Sequence, residues 1–200
     1  MNTDINWQLV LAIIGATAGL LASVRWLVND IMNLTNKPKL VISHGPYAKN
    51  WQYLGTTQVR RFINFEVITK KGRTARGCGA KVTIIKHPDN VTHLEREYGL
   101  HWAGVPYSTL STGAETVEIG AAPRRLDVAF TVPNQTGQSW IAMPIALTAP
   151  GQVPQARLPQ GEYILRVTVY CENGRGDAKT IRLISPENWQ DLQAEEVKRR

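Results

Sequence analysis

Residues 59–86, VRRFINFEVITKKGRTARGCGAKVTIIK, carry the pattern that decides the fold. From Val59 to Thr69 apolar and polar side chains alternate, with Ile63, Phe65 and Val67 on one face and Asn64 and Glu66 on the other. A period of two is that of a strand with one buried face. The run Lys70 to Arg73 (KKGR) then reads as a turn. Alternation resumes from Gly77 to Lys86, with Cys78, Ala80, Val82 and Ile84 on one face. Two alternating runs around a short basic turn predict a β-hairpin.

The same period extends in both directions. Leu40 to Ser43 is a short first strand, and Arg125 to Val132 places Leu126, Val128, Phe130 and Val132 inward. Ser139 to Leu147 is apolar but holds Pro144, which predicts an edge position because proline cannot donate to the ladder. Tyr163 to Cys171 places Tyr163, Leu165, Val167, Val169 and Cys171 inward. Asn173-Gly174 marks a hairpin turn, from which Lys179 to Ile184 returns. Six or seven short strands with turn signals between them predict a mainly β chain, an antiparallel sandwich over residues 37–184. The tail, residues 185–200, reads as a short C-terminal helix: Ser185 as N-cap, Pro186 after it, acidic residues early and basic ones at the end. Trp189 and Leu192 would pack back on the sandwich.

One segment carries a resemblance. Leu158 to Val167, LPQGEYILRV, has the form L-x-x-G-x-Y-x-L-x-V. It resembles the tyrosine-corner strand of immunoglobulin-like and fibronectin-III-like sandwiches. With residues 65–84 it looks like the adhesion-related immunoglobulin-like domains of bacteria and archaea. The resemblance implies a structural role for Tyr163, whose hydroxyl would bond upstream backbone. It also implies a binding or spacer module rather than an enzyme. Cys171 lies eight residues beyond Tyr163, where the antibody pattern requires two.

Before the sandwich the periodicity differs. Residues 7–24, WQLVLAIIGATAGLLASV, carry no charge. Eighteen residues of helix span roughly 27 Å, enough for a bilayer core. Trp7 and Trp26 stand at the two ends, where indole rings favour the headgroup level. Residues 1–36 are therefore expected to be a membrane anchor and stalk, with a transmembrane helix at about 7–28. No Lys or Arg precedes the span, whereas Arg25, Lys37 and Lys39 follow it. The positive-inside rule then puts the N-terminus outside and the domain in the cytoplasm of a single-pass cell-membrane protein. Gly15 and Gly19 make a G-x-x-x-G step suited to helix self-association. The sequons at Asn33, Asn90 and Asn134 would matter only for a lumenal domain.

The chain has 200 residues and a net charge of +7, which makes an anionic partner plausible on charge alone. Immunoglobulin-like connectivity would pair the strand from Gly77 with that from Tyr163. Cys78 and Cys171 would then be inward-facing neighbours, a dithiol or disulfide or simply two core thiols. The same connectivity gathers Lys37, Lys39, Lys70, Lys71, Arg73, Arg76 and Arg175 at the membrane-proximal end, for contact with anionic lipid or as solvated turn charge. A nucleic acid would need basic residues interleaved with aromatic ones along a stripe, which the sequence does not show. Residues 88–112 form an irregular insert in which Leu94, Leu100 and Trp102 would cover the sandwich. Its His93, Glu95, Glu97 and His101 match no metal spacing, and Arg175-Gly176-Asp177 is a chance tripeptide. No catalytic motif is present, so no enzyme, cofactor or metal is expected. The expected function is a non-catalytic, membrane-tethered interaction or accessory module. Its partners would be the lipid bilayer, a second copy through the helix, and a protein of unidentified kind. The alternative is a membrane-linked sensor or effector that uses Cys78 and Cys171, or the 88–112 insert, to detect a ligand or redox change.

Overall fold

The computed structural model describes residues 23–28, 31, 37–52, 59–70, 73–89, 97–105, 116–133, 135–143 and 156–197. The chain divides into two compact units, Met1–Lys37 and Pro38–Arg200. In the first, residues 23–28 are helical. Among the described residues no helix is long and apolar enough to cross a membrane. Of the expected span at about 7–28, residues 7–22, with Gly15 and Gly19, lie outside the described residues.

Among its described residues the second unit is all β apart from one 3-10 turn. Its described strands are β1 (Lys39–Gln52), β2 (Val59–Lys70), β3 (Ala75–Lys86), β4 (Glu97–Gly99), β5 (His101–Trp102), β6 (Val117–Ile119), β7 (Arg124–Thr131), β8 (Gln138–Ile141), β9 (Arg157–Pro159), β10 (Gly161–Tyr170), β11 (Asp177–Ser185) and β12 (Gln193–Glu196). They form two antiparallel sheets. The first runs β1-β2-β7-β8-β9, with β5 beside the start of β7; the second runs β12-β11-β10-β3-β4, with β6 beside the start of β3. The inner faces meet in one core that joins Phe65, Val67, Leu126 and Val128 to Cys78, Val82, Leu165 and Val167. Fully burying each large apolar side chain contributes roughly 1.5–3 kcal/mol.

The alternation at 63–67 and 78–84 points its apolar residues into this core, but the two strands do not pair. β2 lies between β1 and β7, and β3 between β10 and β4. The basic turn therefore carries the chain from one sheet to the other, and the expected 65–84 hairpin is a crossing. Alternation fixes which face is buried; it does not say which sheet a strand joins. The Asn173-Gly174 hairpin does form, with β10 and β11 in register from Gly161↔Ser185 to Val169↔Asp177.

A bulge corrects the reading of β7. Ile63 pairs with Ala129 but Asn64 with Asp127, which leaves Val128 unopposed on that side. An extra residue flips every side chain beyond it. Val128 and Ala129 both face the core, and Phe130, expected inward, turns outward. There it stacks with Trp140 at 5.8 Å and lies 5.5 Å from Phe62. Arg60 sits over the Phe130 ring at 5.0 Å.

The strand at 139–147 is also corrected: β8 ends at Ile141 and is interior, flanked by β7 and β9. Among its described residues the insert contains two strands, β4 and β5. Leu100 N–H bonds the Ala80 carbonyl in one sheet and His101 N–H bonds the Ala142 carbonyl in the other, so the chain changes sheets at this point. Trp102 is fully buried in the core.

The C-terminal helix is not formed. Ser185 ends β11 instead of capping a helix, because its hydroxyl accepts from Ser139 Oγ at 2.8 Å and donates to the Leu158 carbonyl at 2.9 Å. Those bonds tie the two sheets together. A single 3-10 turn, Trp189–Asp191, follows, and Leu192 is then fully buried. β12 completes the edge of β11, with Lys179–Glu196 at 2.6 Å and Arg182–Glu195 at 2.7 Å across the pair.

Candidate functional site

Three backbone segments meet at the end where the chain enters the sandwich. Lys39 opens β1 opposite Lys70, the last residue of β2. The β10–β11 turn returns to the same place: Leu40 N–H donates to the Arg175 carbonyl at 2.8 Å, and Arg175 N–H donates to the Pro38 carbonyl at 2.9 Å. Only glycine fits at 174, since a Cβ there would collide with the Pro38 carbonyl and approach Cys171 Sγ. Asn173 stitches this turn to the start of β3, accepting from Arg76 N–H at 2.9 Å and donating to the Thr74 carbonyl at 3.2 Å.

Lys39, Lys70, Arg73, Arg76 and Arg175 consequently lie at one end, all exposed. Of the other residues assigned to it, Lys37 closes the first unit and Lys71 lies outside the described residues. Arg124, exposed at the start of β7 opposite Val67, is a further cation at this end. Sequence reasoning did not assign it to this end; the signal would have been its place straight after Pro123 at a strand start. Three acidic residues are mixed in. Glu118 lies 3.7 Å from Arg76, Asp177 accepts Ile42 N–H at 3.0 Å, and Glu172 packs beside Gly77. The surplus is basic, and Asp177 is occupied by backbone.

Directly beneath are the two cysteines, both free. The β3–β10 register pairs Val169 with Ala80 and Tyr170 with Gly79, so Cys171 follows opposite Cys78. Cys171 packs against the core cluster that contains Cys78. Burial, then the neighbouring Cys171, pushes Cys78 up to about 11. Burial also raises Cys171, which is only half-buried.

At the opposite end of β10, Tyr163 donates its hydroxyl to the Pro159 carbonyl at 3.0 Å, the geometry a tyrosine corner requires. Its phenol is pushed up to about 12 by burial and, after that, by the charge of Asp89.

Sequence reasoning missed a polar ring on the outer face of the first sheet. Asn64 donates to Asp127, Trp51 Nε1 donates to Asn64 Oδ1 at 3.3 Å, and Arg125 lies 4.0 Å over the Trp51 ring. Arg125 Nε closes the ring 3.3 Å from Asp127 Oδ1. Burial raises Asp127 to about 6, against the opposing pull of Arg125 and His101. Polar residues at outward positions of two apolar strands were its only trace in the sequence. The ring links β1, β2 and β7 through side chains.

Of the insert's His93, Glu95, Glu97 and His101, the described two lie on separate strands, Glu97 on β4 and His101 on β5. Glu97 pairs with Lys81 at 2.7 Å, His101 faces Asp127 across β5 and β7, and His93 and Glu95 lie outside the described residues. Among the described residues no group of three or more His, Cys, Asp or Glu side chains is placed to hold a metal ion. In comparisons with protein-family models, curated proteins and solved structures, nothing matches this chain.

Proposed function

We propose that this chain is a membrane-tethered, non-catalytic β-sandwich module of immunoglobulin-like kind, held by residues 7–28 and facing the cytoplasmic leaflet with its basic end. The observation that carries the reading is the convergence of Lys39, Lys70, Arg73, Arg76 and Arg175 where the chain enters the sandwich. Each cation close to an anionic leaflet contributes about 1 kcal/mol, less as salt screens it. Five together, set on short rigid turns, amount to useful surface affinity only because the tether has already brought them there. The Tyr163–Pro159 bond supports the immunoglobulin-like kind. Self-association through Gly15 and Gly19 would multiply that surface.

The test uses residues 38–200, which contain their own core, in sedimentation with lipid vesicles. Binding is expected with phosphatidylserine present and not with phosphatidylcholine alone, to weaken as salt rises, and to be lost when Lys39, Lys70, Arg73 and Arg175 become Glu. Equal binding to neutral vesicles would overturn the electrostatic reading. For the full chain, a C-terminus digested by protease added outside intact cells would overturn the orientation.

A further inference from the structure

We infer that Cys78 and Cys171 are a reversible oxidation site whose disulfide latches the Glu172–Gly176 turn, and with it the start of β1, onto β3. The inference stands without the membrane reading. Three observations carry it. The β3–β10 register ends at Tyr170↔Gly79, so Cys171 and Cys78 are the next residues along the two antiparallel strands. Side chains at directly opposed positions have Cβ atoms about 4.5–5.5 Å apart, close to the separation a disulfide needs. Cys171 packs against the core cluster that holds Cys78. Their exposure differs in a useful way: Cys171 is half-exposed and reachable, whereas Cys78 is fully buried behind it.

The chemistry follows that order, with a low-molecular-weight disulfide as oxidant. Cys171 thiolate attacks one sulfur of the oxidant, and its partner leaves as a thiolate. Cys78, once deprotonated, attacks Cys171 Sγ and expels the second thiolate. The protein loses two protons and two electrons, and the oxidant is reduced to two thiols. Because burial holds the Cys78 proton, the second step is slow at neutral pH and speeds up as pH rises.

The consequence is local and mechanical. Cys171 Sγ is within weak hydrogen-bonding reach, 4.0 Å, of the Arg175 carbonyl, the group that also receives Leu40 N–H. The same sulfur lies against Gly174, which packs on Pro38. Joining the two sulfurs by a covalent bond takes away that weak donor and fixes the base of the turn. The turn can then no longer lift from β3 independently of the strand that continues to the first unit.

The experiment equilibrates the full chain over ratios of reduced to oxidised glutathione, followed by alkylation and mass spectrometry. Both thiols should disappear together in one two-electron transition, giving an intramolecular Cys78–Cys171 peptide reversed by reductant. Amide exchange at residues 172–176 and 39–42 should slow several-fold on oxidation. Cys171→Ala, changed at the half-exposed position, should abolish both effects, and Cys78→Ala should give only a glutathione adduct on Cys171. Thiols that stay alkylatable at every ratio, or a wild-type adduct on Cys171 that never resolves, would overturn the oxidation site. Disulfide formation without slower exchange would overturn the latch.

Discussion

Asp127 is a carboxylate in a place that resists its charge. Burial holds it at about 6 against an ordinary 3.8, although Arg125, His101 and Asn64 all favour the ionised form. An acid raised in the folded state contributes stability that is complete below its unfolded pKa and is lost as pH rises through its folded one. The window here is pH 4 to 6, and the change is roughly 3 kcal/mol at most. Urea unfolding should accordingly show stability falling between pH 4 and 7, and Asp127→Asn should flatten that slope. A variant with the undiminished slope would remove Asp127 as its source. The same residue illustrates what the sequence hides. Cys78 and Cys171 were legible as neighbours because two adjacent strands and one register suffice to pair them. The ring of Trp51, Asn64, Arg125 and Asp127 draws on three strands, and its contacts follow from a sheet order that periodicity does not encode.

Elements were legible to the extent that one buried face specifies them. Every alternating run is a strand, yet partners and the C-terminus were misassigned. β2 and β3 separate because each already has two neighbours. The tail has helix-like caps, but tertiary context outweighs such local preferences. Ser185 is tied to Ser139 and Leu158, and the open edge of β11 offers Gln193–Glu196 a full set of backbone bonds. Leu192, fully buried between turn and strand, anchors that arrangement. Leu192→Ala should cost about 2–5 kcal/mol in denaturant unfolding. Amide exchange in β12 should accelerate more than exchange in β10. A cost below 1 kcal/mol would mean that β12 holds itself by pairing alone, the behaviour of a strand with small net bond energies.

At the scale of the whole sandwich, two buried acids set its behaviour in alkali. Burial raises Cys78 to about 11 and Tyr163 to about 12, from 9.0 and 10.0. Both groups stabilise the fold fully below those ordinary values and cease to do so as pH rises through the raised ones. The unfolding midpoint should therefore drop between pH 9 and pH 12. The double variant Cys78→Ala, Tyr163→Phe should lose less over that range, and an equal drop would place the cause elsewhere. Tyr163 lies near the start of β10 and Cys78 on β3 close to where β10 ends, so alkali loosens the second sheet at two separate places. The first strand has a different significance. β1 pairs with β2 along its whole length, and its opening residues are also clipped by the Arg175 backbone. A pull on residue 38, resisted at the far end of the sandwich, loads that ladder lengthwise. Its bonds must then yield together rather than unzip one by one. Forced unfolding is governed by the barrier rather than by equilibrium stability. A strand placed this way makes the sandwich a strong coupling between whatever holds its N-terminal side and whatever grips its far end.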